Sequence, residues 1–283
     1  MFCDLHTHSV FSDGTWTPTQ IIMEAARQQL AVALTDHNTV SGLPEFLSAA
    51  REMGVEAVPG IEFSTDYLQY DVHIVALFVT EAMYEPIKAY VAQGDRLKEE
   101  SNRLLVENLN RAGYDISYEA LVAQTPDGRI NRANIAAEMV KKGYISTVKE
   151  GFSKFLRAEH GYYVPPKRPD SFETIAFIRE LGAMPVLAHP LLTMSAAEAR
   201  AFLERAVPCG LQAMETQYTT SDEETTATAC AMAEEFGLLQ SGGSDFHGDN
   251  KPGNLLGQGR GNLQIPREVY AQLRLSHQPS KRQ

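Results

Sequence analysis

Six of the eight histidines in this sequence stand beside carboxylates or at the ends of short apolar runs, where imidazole can serve as a ligand or a proton carrier. In Asp4-Leu5-His6-Thr7-His8 the two imidazoles are two residues apart, and in an extended segment such positions share a face. Asp13 follows, in a turn marked by Gly14. His37 comes after the apolar run 30–34, Glu62 after 55–58, and His189 after 185–188. His73 opens a run of its own, His73-Ile74-Val75-Ala76-Leu77. Asp245 and His247 repeat the two-residue spacing behind Ser241-Gly242-Gly243-Ser244. His160 and His277 have no such setting.

Taken singly, each feature has an ordinary reading. A His-x-His is usually incidental, a histidine past a strand caps or hydrogen-bonds, and lone carboxylates such as Asp13 and Glu62 close turns or helices. Their coincidence at strand termini points instead to one convergent metal centre. A shell of imidazole and carboxylate suits Mn²⁺, Zn²⁺ or Fe²⁺ better than Mg²⁺ or Ca²⁺, which prefer oxygen alone. Nine ligands exceed the needs of one ion, so two or three divalent metal ions are expected, with Mn²⁺ the first candidate.

Such residues need a scaffold that gathers strand ends. Apolar runs alternate with helical patterns at 19–29, 43–53, 172–181, 196–207 and 222–236, which predicts an α/β fold with a mostly parallel sheet. A barrel of β/α units brings the strand termini to one rim. His73 fits if its strand runs antiparallel to its neighbours or returns to the rim through a hairpin over 64–71. Residues 84–163 break the rhythm with helical patterns at 85–112, 117–123, 133–142 and 147–157. The expected organisation is therefore a barrel from 1–83 and 164–283, with 84–163 a helical insertion. The polar tail 276–283 is expected to fray.

Composition narrows the partners. With 43% hydrophobic and 22% charged residues the chain reads as an ordinary globular enzyme, long enough for one large core and a smaller lobe. A net charge of −11 argues against tracking long nucleic acid, which needs many Lys and Arg contacts to phosphate. Bound cations would offset that charge locally, so a small phosphorylated substrate, or short RNA, fits. Cys3, Cys209 and Cys230 are scattered and odd in number, which predicts a reducing, cytoplasmic setting. No export signal is evident and no apolar run is long enough for a membrane span. A monomer or weak oligomer is expected.

The segments Asp4-Leu5-His6-Thr7-His8-Ser9, Ser12-Asp13-Gly14, Thr35-Asp36-His37-Asn38, Pro59-Gly60-Ile61-Glu62, Val72-His73-Ile74, Ala188-His189-Pro190 and Gly243-Ser244-Asp245-Phe246-His247 resemble, in order, the motifs of the polymerase and histidinol phosphatase (PHP) family. The resemblance implies a distorted (β/α)₇ barrel with a trinuclear centre. It implies one metal held by His6, His8, Glu62 and Asp245, and a second reached by Glu62 and held with His73 and His189. Asp13, His37 and His247 would hold a third. The chain is most similar to members that act as 3′,5′-nucleoside bisphosphate phosphatases or 5′→3′ exoribonucleases on short RNA. That likeness lies in the helical insertion, in Gly128-Arg129-Ile130-Asn131-Arg132, in Lys154-Phe155-Leu156 and in Gly161-Tyr162-Tyr163-Val164. In these relatives the lobe covers the metal centre and contributes basic contacts, often with a histidine two residues after the arginine. The resemblance thus implies that 84–163 covers the active site, though this chain has Asn134 at the histidine position.

The expected reaction is hydrolysis of a phosphate monoester by metal-activated water, which needs no serine or cysteine nucleophile. The 3′-phosphate of a nucleoside 3′,5′-bisphosphate is the first substrate candidate. Short RNA and a histidinol-phosphate-type monoester are the alternatives. Asp245 would act at the metal, and His189 or His247 would protonate the leaving oxygen. Arg132, Lys154 and Arg129 would clamp a second phosphate, with Tyr163 or Tyr218 stacking on a base or donating a hydroxyl. A non-catalytic binding domain of this fold would show a degenerate set of ligands. All nine positions here are ligand-capable, which favours an enzyme.

Overall fold

Short strands and capped helices alternate from the start of the chain, as the apolar runs and helical patterns predict. In the computed structural model, which describes residues 2–125 and 130–277, β1 (Cys3–Asp4) and β2 (Ala31–Leu34) flank α1 (Pro18–Gln28). The Thr17 side chain accepts the Gln20 amide, Gln20 accepts the Thr17 amide in return, and Pro18 sits in the first turn where no donor is needed. α2 (Leu43–Met53) buries Leu43, Phe46, Ala49 and Ala50 and stops at Gly54, which takes the left-handed conformation. Then come β3 (Ala57–Tyr67), β4 (Tyr70–Leu77), α3 (Tyr84–Arg111), α4 (Tyr118–Gln124), α5 (Arg132–Lys141) and α6 (Val148–Lys154). The remainder is α7 (Ser171–Leu181), β5 (Met184–Leu187), α8 (Pro190–Thr193), α9 (Ala196–Ala206), β6 (Ala213–Tyr218), α10 (Glu223–Glu235), β7 (Leu239–Gly243) and α11 (Arg267–His277).

The seven strands form one sheet in sequence order. β4 is antiparallel to β3 and β5, and the other pairs are parallel. The edges meet where the Leu5 amide donates to Gly242 O at 3.1 Å and the His8 amide to Phe246 O at 2.8 Å. The sheet thus closes into a distorted (β/α)₇ barrel. Cys3, Leu5, Val58, Val75, Leu77 and Val186 share a buried core with Tyr270 and Leu273 of α11. A Cβ at Gly243 would lie 2.6 Å from the His6 amide nitrogen, so glycine alone lets β7 press this closely on β1.

Three features depart from the sequence reading. β3 runs through Pro59-Gly60 to Tyr67, so Glu62 lies within a strand and not beyond one. Phe63, Thr65 and Tyr67 are buried in alternation with Ser64 and Asp66, and pairing with β4 sustains the extended chain past the apparent stop. β6 has no predicted counterpart, because Ala213-Met214-Glu215-Thr216-Gln217-Tyr218 mixes polar and apolar residues. The last helix of the insertion ends at Lys154, before a 3₁₀ turn at Ala158–His160. His73 satisfies both conditions set for it: β4 is antiparallel, and a hairpin turning at Leu68 returns it to the rim.

The chain divides into two compact units, Met1–Ala89 with Pro169–Gln283, and Tyr90–Arg168. In the second, helices pack around Leu105, Leu109, Leu121, Ile135, Met139 and Leu156. Of the tail expected to fray, Ser276 and His277 instead end α11, and 278–283 lie outside the described residues. Among the described residues no helix is long and apolar enough to cross a membrane.

Candidate metal centre

Six strands or their following loops bring the nine sequence-selected residues together. Glu62 pairs with Val75 and His73 with Ser64, which makes Glu62 and His73 diagonal neighbours on one face; His73 Nδ1 lies 2.8 Å from Glu62 Oε1. Glu62 Oε2 meets His6 Nε2 at 3.1 Å, His8 Nε2 at 3.3 Å and His37 Nδ1 at 3.0 Å, and Oε1 meets His189 Nε2 at 3.1 Å. Asp245 Oδ1 lies 3.3 Å from His8 Nε2. Asp13 Oδ1 lies 3.2 Å from His247 Nε2, and Asp13 Oδ2 lies 3.9 Å from His37 Nε2.

Ligand atoms within 4.8 Å of one another form four overlapping groups: His8, Asp13, His37 and His247; His6, Glu62 and His189; His6, His8 and Asp245; and His37, Glu62 and His73. His6 Nε2 and His8 Nε2 face each other at 3.0 Å. Two nitrogens each about 2.1 Å from one ion and about 90° apart around it would be spaced by about that distance. Four buried atoms of the cluster, His8 Nδ1, His37 Nδ1, Glu62 Oε2 and His247 Nε2, make no hydrogen bond. A buried polar atom without a partner is costly, and a cation supplies the missing one. The donor set therefore fits divalent ions.

The cluster's charges answer each other even without metal. Burial alone would raise the Glu62 carboxyl, but the imidazoles of His6, His73 and His37 outweigh it and hold it well below the usual carboxylate range. Burial would likewise raise the Asp245 carboxyl, but His8 and His6 outweigh it and hold it well below the usual carboxylate range. Burial disfavours the His73 cation, yet Glu62 and Asp71 push it up to about 10.

Several supporting residues carried no role in the sequence reading. Glu215, on the unpredicted β6, accepts His6 Nδ1–H at 2.7 Å and the His189 amide at 2.8 Å, which fixes the His6 tautomer with Nε2 facing the cluster. Asp36 accepts from the Ser9 amide and from the Ser9 and Ser12 hydroxyls, all at 2.7 Å, and so shapes the loop that carries Asp13. Asp4 accepts the Ser244 amide at 2.9 Å and the Gly257 amide at 2.7 Å, tying β1 to the segment after β7. Lys251 lies 2.6 Å from Asp245 Oδ2. His189 and Asp245 hold positive φ angles of 29° and 50°, strained for residues with a side chain and characteristic of functional sites.

Comparison with known proteins decides the family. A profile described as PHP domain matches residues 4–161. The chain belongs to the PHP domain family. A 3′,5′-nucleoside bisphosphate phosphatase of Chromobacterium violaceum is 30% identical over 279 residues, covering 95% of each chain. A 5′-3′ exoribonuclease of Haemophilus influenzae is 30% identical over 246 residues, covering 86% of this chain and 89% of its own. A structure from Bifidobacterium adolescentis, provisionally classed as a metal-dependent phosphoesterase, superposes with a TM-score of 0.74 at 27% identity over 99% of this chain and 97% of that one. This PHP-family chain is a metal-dependent phosphoric ester hydrolase that uses divalent ions.

The substrate-contact candidates of this PHP enzyme are placed less uniformly. Tyr218 is buried and donates its hydroxyl to Asp245 Oδ2 at 2.7 Å. Arg132, Lys154 and Tyr163 belong to the second unit. There the Arg132 guanidinium donates to Leu156 O at 2.9 Å and lies 4.4 Å from the Tyr163 ring centre, while Lys154 pairs with Glu150. Asn134 closes a capping box with Asn131 at the start of α5, accepting its amide at 2.8 Å. Arg129 lies outside the described residues.

Glu215 offers a direct check on the supporting shell. Glu215→Gln leaves one oxygen to serve two donors and turns an NH₂ toward the other. Metal affinity is expected to fall about 10–100-fold, as read by chelator competition, with the fold retained by circular dichroism. Unchanged metal affinity would refute this role.

Proposed function

We propose that the enzyme hydrolyses a phosphate monoester of a small nucleotide, specifically the 3′-phosphate of a nucleoside 3′,5′-bisphosphate, with Mn²⁺ as its working ion. The observation that carries this reading is the bisphosphate phosphatase relative, similar across 95% of both chains. A cleft of about 240 Å³ beside His189 supports it. Pro190 and Leu191 offer it apolar surface, and Thr216, Ser221 and Thr225 bring hydroxyls. Its carboxylate Glu215 has both oxygens engaged by His6 and the His189 amide, and among the described residues no Lys or Arg lines it. Such a wall suits a neutral sugar or base, which leaves the second phosphate to other groups.

Divalent ions held by the nine ligands would acidify a bound water, polarise the phosphoryl oxygens and stabilise the leaving oxygen. The protein's own part is orientation and proton transfer. His247 Nδ1 lies 2.8 Å from Asp245 O, so it carries the proton and Nε2 turns toward Asp13. His189 lines the cleft as well as the cluster, which favours it over His247 as the donor to a leaving oxygen. Tyr218 has its hydroxyl committed to Asp245 and offers the cleft a ring face. Three unpaired cysteines support a cytoplasmic setting.

Exonucleolytic removal of nucleotides from the 5′ end of short RNA is the second reading, supported by the Haemophilus influenzae relative. Turnover of the Mn²⁺-loaded protein on a nucleoside 3′,5′-bisphosphate, a 5′-monophosphate, a 5′-phosphorylated short RNA and histidinol phosphate separates the readings. The bisphosphate is expected to lead in kcat/KM by at least about tenfold. A lead for RNA or for histidinol phosphate would replace the proposal with that activity.

A further inference from the structure

Asp245 is held from two sides. Its Oδ1 faces His8 at 3.3 Å and His6 at 3.8 Å, while its Oδ2 accepts the Tyr218 hydroxyl at 2.7 Å and meets Lys251 Nζ at 2.6 Å. The phenol is buried and, pushed up by that burial and by the Asp245 charge, remains a donor at neutral pH. It already orients the carboxylate, so a second donor is not needed for that purpose. Lys251, by contrast, is 42% exposed, and its ammonium carries three N–H groups of which Asp245 occupies one.

The backbone places this ammonium deliberately. Lys251 follows the 3₁₀ turn Gly248–Asn250, directly after His247. The Asp249 amide donates to Thr15 Oγ1 at 2.9 Å, and the Asn250 side chain donates to the Asp13 carbonyl at 2.7 Å. Gly248 takes φ 62°, and a Cβ there would run into the Thr15 side chain, so the turn sits tightly on the Asp13 loop. Lys251 is thereby fastened at the rim of the cluster, between the segments that carry Asp13 and Asp245.

A lysine beside a cation site opposes metal binding through like-charge repulsion. Its place on a ligand carboxylate is favourable when an anion joins the site. We infer that Lys251 is a substrate-binding residue whose ammonium contacts the non-bridging oxygens of the phosphoryl group being cleaved. A carboxylate that shares its charge with a divalent ion holds an ammonium less tightly, which frees Lys251 N–H groups for the phosphate. This rests on the phosphoesterase activity and is independent of which ester is cleaved.

The test uses the full chain loaded with Mn²⁺ and inorganic phosphate as the probe. Lys251→Met keeps the length of the side chain and removes the charge; Lys251→Arg keeps the charge. Phosphate affinity, measured by calorimetry and by inhibition of ester hydrolysis, is expected to fall on the order of tenfold or more in the Met variant and to recover largely in the Arg variant. Bound metal per chain should match the unsubstituted protein in both. Phosphate affinity within about twofold of the unsubstituted protein would overturn the inference. So would metal loss in the Met variant with normal phosphate affinity after metal is restored, which would assign Lys251 to holding Asp245 alone. Phosphate is the product of every monoester and carries the same non-bridging oxygens as a diester's phosphoryl group, so a different outcome of the substrate comparison leaves this result intact.

Discussion

Glu62→Gln is expected to lower kcat by more than the 10–100-fold typical of an outer partner of a metal ligand, and to empty part of the centre. Glu62 is fully buried and stands within 3.3 Å of nitrogens from five histidines, His6, His8, His37, His73 and His189. An amide in its place carries no charge and presents an NH₂ toward ring nitrogens that must face a cation. Removing one partner of a buried charged network leaves the others uncompensated, and such losses are large. Metal content per chain and phosphate release check this together. A variant with normal stoichiometry and normal turnover would show that Glu62 is structural.

Removing the metal is expected to abolish hydrolysis, with Mn²⁺ restoring it, and to change how stability depends on pH. In the metal-free protein His73 is raised from its ordinary 6.5 to about 10 by Glu62 and Asp71. Its stabilising contribution is complete below pH 6.5 and is lost as pH rises toward 10. Glu62 has the opposite sign: its depressed carboxyl contributes above its ordinary 4.5 and loses that contribution only as pH falls through the lower folded value. The metal-free protein should therefore weaken between pH 6.5 and 10. Metal binding runs the other way, because each imidazole must shed its proton before it can ligate. The gap in thermal midpoint between the Mn²⁺-loaded and metal-free protein should widen from about pH 6 to about pH 8. At free metal a hundredfold above Kd the loaded form gains about 2.7 kcal/mol. A gap that narrows with rising pH would contradict the proton–metal competition.

Much of the site was legible because ligand chemistry is local. His6 and His8 advertise themselves by i, i+2 spacing on extended chain, and Asp245 and His247 do the same. His37 and His189 follow apolar runs that become β2 and β5. The helices were legible as local patterns of apolar residues, and in the structure Thr17, Asp222 and Ser195 each cap the helix that follows. Glu215 escaped notice because nothing in Met214-Glu215-Thr216 marks a strand, and its meaning lies in a residue 209 positions away, His6. Lys251 was equally silent, since a lysine in a polar loop reads as solvated until Asp245 is found beside it.

By itself the sequence determined the α/β class, the nine ligand-capable residues and the chemistry open to them, because these depend on side-chain type and short-range spacing. The tertiary structure alone decided three things. It carried β3 through Pro59-Gly60, which makes Glu62 the residue shared by five imidazoles. It reversed β4 so that His73 reaches the rim. It also brought Glu215 of β6 to His6, 209 positions away, and folded the loop after His247 so that Lys251 meets Asp245. The physical reason is that strand pairing and burial are settled between segments distant in the chain, and a register of backbone hydrogen bonds leaves no mark on either segment read alone.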